Sequence, residues 1–180
     1  MQHCNCFPNT NDDLDLIIKI LSLVLSLTAI IFTAVSIFLQ KRHNRNAVKP
    51  IANIAISDYE DKLSVQIQNN GTGPLIVKSF RAFNEEENQN NLIDLMPELP
   101  PGLAWTTFFS NLTGFAITPS KNLNLLELRV DPTSIDESNV RDAIRRRLSN
   151  ITVELIYEDI YGKEMPIKTK SLDWFNRHFI

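Results

Sequence analysis

The chain has 180 residues, a formal net charge of −3 and only two cysteines. A protein that binds nucleic acid through its phosphates needs a basic face, and this charge balance gives no indication of one. We therefore expect no nucleic-acid partner. Both cysteines, Cys4 and Cys6, lie near the N-terminus, so the rest of the chain is free of cysteine, which a reducing compartment permits.

The N-terminal tail, residues 1–15, is polar and without periodicity, which is typical of a short disordered segment. His3, Cys4 and Cys6 are potential metal ligands, but a tetrahedral zinc site needs a fourth ligand. The sequence therefore predicts no metal site here, and it predicts no cofactor elsewhere in the chain.

Residues 20–39 form an apolar run without a charged residue, a proline or a glycine. At about 1.5 Å of rise per residue, a helix of this length crosses the roughly 30 Å hydrocarbon layer of a bilayer. A soluble core helix would show a polar face, and a cleaved signal peptide would have a basic start and a shorter apolar run. The sequence predicts a transmembrane helix over residues 16–40.

Basic residues are concentrated on the C-terminal side of this span, and only Lys19 lies close on the other side. The positive-inside rule then predicts a single-pass protein of the inner membrane, with its N-terminus outside and its C-terminal domain in the cytoplasm. Residues 41–50 form a basic juxtamembrane linker with a modest affinity for anionic lipid head groups. Its basic residues are Lys41, Arg42, Arg45 and Lys49.

A second apolar stretch, residues 102–117, would change this topology if it also crossed the membrane. It is shorter than a typical span, follows Pro100 and Pro101, and contains Asn111 and Gly114. These features favour a loop with short strands. From sequence alone, entry of this stretch into the membrane remains the alternative.

Small and hydroxyl residues recur within the span at spacings of 4, 3, 4 and 3 residues. This spacing is that of one stripe in a left-handed helix pair, and small residues let two helices approach closely. The stripe predicts self-association, or association with a partner helix. The alternative is that Ser and Thr are simply tolerated in a single span. The residues of the stripe are Ser22, Ser26, Ala29, Thr33 and Ser36.

After Pro50 the apolar pattern changes to alternation, which is typical of half-buried strands. Residues 51–57 and 63–68 are predicted strands, and the segment 69–74 contains an Asn-Gly pair that suits a tight turn with positive φ. We therefore expect a hairpin in which residues 75–83 form the returning strand.

Residues 84–91 are acidic and amide-rich and predict a solvated loop, and residues 124–130 predict a strand. Ser134 and Glu137 have the spacing of a capping box, which predicts the start of a short helix. The apolar face of this helix is predicted to comprise Val140, Ala143, Ile144 and Leu148. The opposite face is predicted to carry Arg141, Arg145 and Arg146, with Arg147 beside them.

Residues 151–157 and 165–169 predict a second hairpin. The C-terminal residues Trp174, Phe175, Phe179 and Ile180 are expected to cover the edge or end of the sandwich, and contact with a partner or the membrane is the alternative. The predicted fold is therefore membrane-anchored and mainly β. One transmembrane helix is followed, over residues 51–180, by a small cytosolic β-sandwich or barrel with one short helix.

Sequence motifs for catalysis are absent: the chain has no P-loop, no dinucleotide-binding glycine motif, no nucleophile elbow and no zinc-protease motif. Its three histidines, His3, His43 and His178, lie in the tail, at the predicted membrane surface and near the C-terminus. A Ser or Cys nucleophile with a His base inside the domain is therefore not expected. The sequence predicts a protein that is not an enzyme.

The chain combines an N-terminal span, a basic flank that ends in Val48, Lys49 and Pro50, an N-N-G-x-G-P turn at residues 69–74 and a Y-x-D-x-Y-G turn at residues 157–162. In these motifs it resembles a group of small bacterial single-pass inner-membrane proteins of unsettled function. In its layout it is also similar to the membrane effectors of anti-phage defence systems, including those associated with retrons and cyclic-nucleotide signalling. The second resemblance implies an antiviral effector that disrupts the membrane.

Two hypotheses of function follow. In the first, the β-domain senses or is held by a cytosolic protein or small ligand, and its release lets the spans associate as a homo-oligomer through the stripe and breach the membrane. In the second, the chain is a passive membrane-anchored adaptor or scaffold whose β-domain binds a partner protein. The identity of the partner is not encoded in any motif of the sequence.

Overall fold

The computed structural model describes residues 10–179, with side chains from residue 13 onward. The chain divides into two units, one that ends at Asn46 and one that begins at Ala47. The predicted tail lies partly outside the described residues, as do His3, Cys4 and Cys6. From Thr10 onward the chain is helical, so the last residues of that tail belong to the helix.

The helix α1, Thr10–Ala47, has 38 residues, and all of them except Ala47 belong to the first unit. It extends beyond the predicted span of residues 16–40 at both ends, because no proline or glycine occurs between Pro8 and Pro50. Lys41, Arg42 and Arg45 therefore lie on the helix instead of in an irregular linker. Its Asp13–Ala47 portion is long and apolar enough to cross a membrane, and no part of its most apolar window is buried.

The second unit contains two antiparallel sheets, one helix and two short 3₁₀ helices, Ile93–Leu95 and Asp173–His178. Among the described residues, one sheet has the strand order β1-β2-β7-β5, and the other has the order β4-β3-β8-β9 with β6 also paired to β3. The helix is α2 (Ile135–Ser149). The strands are β1 (Ala52–Asp58), β2 (Lys62–Asn69), β3 (Leu75–Phe83), β4 (Asn88–Gln89), β5 (Thr107–Phe108), β6 (Ala116–Ile117), β7 (Asn122–Arg129), β8 (Thr152–Glu158) and β9 (Lys168–Ser171).

The predicted first hairpin is wrong. Strand β2 pairs with β1 and β7, whereas β3 pairs with β8 in the other sheet. The segment 69–74 therefore connects the two sheets, and the hairpin lies one connection earlier, between β1 and β2. Alternation identified the strands correctly, but it carries no information on which strand pairs with which, because that depends on packing between distant segments.

The second hairpin is confirmed, with β8 paired antiparallel to β9 and Thr152 opposite Ser171. Its second strand begins at Lys168, later than predicted. The strand predicted at residues 124–130 is β7, Asn122–Arg129. As predicted, the apolar stretch 102–117 is a loop with two short strands, β5 and β6. The structure pairs β5 with β7 and β6 with β3.

Helix α2 begins as expected, since the Ser134 side chain accepts a hydrogen bond from Glu137 N at 3.4 Å. The reciprocal half of the capping box does not form, because the Glu137 carboxylate accepts from Asp131 N instead, at 2.7 Å. Ile144 and Leu148 are fully buried, and Val140 packs against the core as predicted. Ala143 is exposed and Arg145 is buried, so the predicted faces are wrong at these two positions.

A single hydrophobic core is shared by both sheets and α2. Phe175 belongs to it and is fully buried, while Trp174 is 56% exposed. The predicted cover by the C-terminal segment therefore holds for Phe175 and fails for Trp174, and Ile180 lies outside the described residues. Because a buried phenylalanine contributes roughly 3–5 kcal/mol, the C-terminal segment is an integral part of the domain.

Candidate functional site

The stripe residues lie along α1, and each of their side chains is exposed in the single chain. The Ser26 hydroxyl donates to Ser22 O and the Thr33 hydroxyl donates to Ala29 O, both at 2.8 Å. These polar groups are satisfied within the helix itself, as a bilayer requires. Association through the stripe stays a prediction.

The chain that leaves α1 is held by the connection between β2 and β3. We call residues 47–51 together with residues 69–74 the linker grip. Thr72 N donates to Lys49 O at 3.2 Å, and Asn70 N donates to Ile51 O at 2.8 Å. The Thr72 hydroxyl donates to Ala47 O at 2.5 Å. A side-chain bond at Ala47 and backbone bonds at Lys49 and Ile51 thus fasten the linker to the domain.

Gly71 and Gly73 make this contact possible because a side chain at either position would collide with the linker. A Cβ atom at Gly73 would lie 1.7 Å from Val48 O, and one at Gly71 would lie 2.4 Å from Lys49 O. Neither glycine is among the described residues with positive φ. The sequence-based explanation, a tight turn with positive φ, is therefore wrong, and the requirement is close approach of two backbones.

The side chain of Asn69 stabilises the linker grip by hydrogen bonds and is completely buried. Its amide nitrogen donates to Gly73 O at 2.8 Å and to Ile117 O at 2.9 Å. Its amide oxygen accepts from Gly71 N at 3.0 Å. One side chain thus satisfies three buried backbone groups, each of which would cost free energy if left unpaired.

The loop between β6 and β7 packs beside Asn69. Ser120 N donates to Asn69 O at 2.9 Å, and Asn69 N donates to Lys121 O at 3.0 Å. Ser120 is the only described residue other than glycine with a positive φ, at 58°. The loop borders an open cavity of about 230 Å³, lined by Gln68, Asn70, Ser120, Lys121 and Asn122.

A second polar cluster surrounds Asp58 at the end of β1. The Asp58 side chain is fully buried, and its Oδ1 lies 2.7 Å from Arg145 Nη2 on α2. Its Oδ2 lies 2.7 Å from Arg177 Nη1 and 3.2 Å from His178 Nε2. Arg177 Nη1 is close to Asp58 Oδ2 but is not oriented to donate a hydrogen bond. This contact is therefore mainly Coulombic.

This cluster fastens the C-terminal segment to the domain. Arg177 Nη2 also donates to Asp58 O at 2.7 Å, and its guanidinium stacks 4.7 Å from the centre of the Trp174 ring. Both carboxylate oxygens of Asp58 are occupied by cationic groups, so the arrangement suits a structural ion cluster better than a general base. Sequence reasoning missed it because Asp58 and Arg177 are 119 residues apart.

Arg145 also lies 2.8 Å from Asp142 Oδ1 through its Nη1 atom. Burial raises the pKa of the Asp142 carboxyl, but hydrogen bonds and charge interactions with Arg141 and Arg145 outweigh this, so the pKa lies below its usual value of 3.8. Asp142 therefore stays ionised at neutral pH, and it neutralises part of the positive charge of the arginines on α2.

Among residues 13–179, no group of three or more His, Cys, Asp or Glu side chains is arranged to hold a metal ion. Of the predicted basic residues, Lys41, Arg42 and Arg45 lie on α1, whereas Lys49 lies in the linker grip. No protein-family model matches the chain. No curated protein matches it in sequence either. The contacts described above are therefore the observations on which a function can be based.

Proposed function

We propose that this chain is a non-enzymatic inner-membrane protein, with α1 crossing the bilayer once and the two-sheet domain binding a partner protein in the cytoplasm. The observation that carries the proposal is the apolar Asp13–Ala47 portion of α1, whose most apolar window is entirely unburied. An apolar helix of this length left in water would aggregate, and a bilayer is the environment that covers it.

The linker grip supports a binding role for the domain, because it makes residues 47–51 part of the folded unit. These residues are bonded to residues 69–74, so the chain from Ala47 to the start of β1 is not a free tether. A Gly/Ser-rich linker would behave as a flexible coil instead.

Topology and anchoring can be tested together with reporter fusions at Ile180. We expect a reporter that is active only in the cytoplasm to work there, and we expect the protein to stay in the membrane fraction after alkaline carbonate washing. Activity of a reporter that works only outside the cytoplasm would overturn the orientation. Release by carbonate would overturn the transmembrane assignment itself.

The effector hypothesis needs a separate test. Both hypotheses include the transmembrane anchor, and they differ in whether the protein makes the membrane permeable. As an anchored binding module, the protein should leave cells impermeable to a membrane-impermeant dye when overproduced alone. If dye enters, the stripe is tested next with the double variant Ser26→Leu and Thr33→Leu. Thr28→Leu is the matched control, since Thr28 lies outside the stripe and its hydroxyl also donates to its own helix, to Leu25 O at 2.8 Å.

Dye entry that is abolished by the double variant and kept by the control, at equal membrane levels, would favour the effector over the binding module. Leucine at these positions blocks close helix approach while leaving the span at least as apolar. Membrane levels must be compared because a bulky residue on a packing face can also lead to degradation.

A further inference from the structure

The cavity beside the linker grip has the composition of a small anion site. Its lining consists of two asparagines, a glutamine, a serine and a lysine, and this open cavity has a volume of about 230 Å³. Ligand clefts for drug-sized molecules measure about 300–1,000 Å³, so this one suits a single small group. Lys121 is the only charged residue in the lining.

Two residues of this lining, Ser120 and Lys121, are held in place by backbone hydrogen bonds. Lys121 N donates to Thr118 O at 3.2 Å, and its carbonyl accepts from Asn69 N at 3.0 Å. Ser120 is fixed in the left-handed region at φ 58° and is bonded through its N–H to Asn69 O. A rigid loop in a sparsely populated conformation is a common feature of binding sites, because the strain is retained only where neighbouring contacts enforce it.

The charge balance around the cavity is positive. Within the described part of the chain, Lys121 forms no ion pair, and neither does Lys49 in the adjacent linker. In β2 and β7, the polar side chains closest in sequence to the lining residues are amides. The first carboxylate along β7 is Glu127, and it is already engaged by Lys62 at 3.6 Å and Arg129 at 3.0 Å.

We propose that this cavity binds a phosphate group, with the Lys121 ammonium supplying the charge and the Ser120 hydroxyl and Asn70 amide donating hydrogen bonds. Lysine is a common phosphate ligand as a point charge, and hydroxyl and amide donors satisfy the remaining phosphate oxygens. The phosphate could belong to a lipid head group or be free in solution. The lipid source rests on the proposed membrane anchoring, since Asn70 bonds to Ile51, shortly after α1 ends at Ala47.

Binding can be measured on the full chain in nanodiscs of neutral phosphatidylcholine by titration with inorganic phosphate. We expect saturable shifts in the backbone NMR signals of Ser120 and Lys121. Lys121→Gln should weaken the affinity at least tenfold. Lys170→Gln is the matched control, because Lys170 is exposed on β9, away from the cavity, and should leave the affinity unchanged.

A second variant protects the test against misfolding. Ser120→Gly removes the hydroxyl, and glycine adopts the positive φ at this position without strain. The loop should therefore keep its structure while the affinity for phosphate falls severalfold. The proposal is overturned if the shifts do not saturate. It is also overturned if Lys121→Gln binds phosphate as tightly as the original chain and the Lys170→Gln control do.

The source of the phosphate is then decided with nanodiscs that contain phosphatidylglycerol. If a lipid head group occupies the cavity, free phosphate should bind more weakly in these nanodiscs, and Lys121→Gln should remove the difference. Unchanged phosphate affinity would assign the cavity to a soluble phosphate. The titration is independent of cellular topology, so failure of the membrane assignment in cells and failure of this site would be separate results.

Discussion

Two turns of the β-domain have a similar composition and a different physical basis. Residues 69–74 and residues 159–163 each combine an Asn or Asp with glycine after a strand. In the second turn Gly162 has φ 73°, and a Cβ there would meet nothing within 4 Å. In the first, Gly71 and Gly73 lack positive φ and are packed against the linker.

The buried Asx side chains differ in the same way. Asp159 accepts from Tyr161 N at 2.8 Å and from Lys163 N at 2.9 Å, so its bonds stay within its own turn. Asn69 bonds within its turn and also to Ile117 O, far along the chain. The second turn only reverses the chain locally, whereas the first joins the linker, both sheets and the following loop. Substitutions in the two turns should therefore lower the free energy of unfolding by different amounts.

The largest effect is expected for Gly73→Ala. Its new Cβ would overlap Val48 O, a backbone atom that can move only if the linker separates from the turn. We expect the free energy of unfolding to fall by about 3 kcal/mol. Denaturant titration of the full chain in micelles, followed by tryptophan fluorescence, measures it. A loss below about 1 kcal/mol would mean that the two backbones are not held in close contact.

Asn69→Ala should have the next largest effect, since it leaves Gly73 O, Ile117 O and Gly71 N without their partner. We expect a loss of about 2 kcal/mol by the same titration. Asn69→Asp sharpens the interpretation, because a carboxylate can still accept from Gly71 N but cannot donate to the two carbonyl oxygens. If the Asp variant were as stable as the original chain, the two donated bonds would not matter.

Gly162→Ala should cost only about 1 kcal/mol, because the penalty comes from positive φ alone and the added methyl group has open space. The ratio of this loss to that of Gly73→Ala tests the comparison of the two turns directly. Equal losses would show that the two glycines serve the same conformational purpose.

Ser120→Gly should change stability in the opposite direction. Ser120 has φ 58°, which glycine adopts without a steric penalty, so we expect a gain of about 0.5 kcal/mol in the free energy of unfolding. Thr118→Gly is the contrasting control, because Thr118 lacks positive φ and should only lose stability. Destabilisation by Ser120→Gly would indicate that the serine side chain supports the loop.

Much of the fold follows from local sequence patterns. The long apolar run, the strand periods of β2, β7 and β8, and the cap of α2 at Ser134 all depend on neighbours within a few residues. The apolar run indicates only the membrane-spanning part of α1, whereas the absence of proline and glycine allows the helix to continue at both ends. Length of the span and length of the helix are different quantities.

The polar contacts were not predictable in the same way. The sequence predicts that Arg145 faces solvent, because its partner Asp58 is 87 residues away along the chain. The motif at residues 69–74 does indicate a constrained segment, but the reason for its glycines appears only once the linker lies against them. Ser120 and Lys121 lie in a polar loop whose sequence contains no binding motif. The positive φ of Ser120 and the adjacent cavity are visible only in the structure.

The linker grip is tested most directly by hydrogen exchange at the Asn70 and Thr72 amides, which donate to Ile51 O and Lys49 O. In the original chain both amides should be protected nearly as well as those of β7. In the Gly73→Ala variant they should exchange at least tenfold faster, and the β7 amides should also exchange faster, because the free energy of unfolding falls. Fast exchange of both amides in the original chain would contradict the account, because residues 47–51 would then be a free tether.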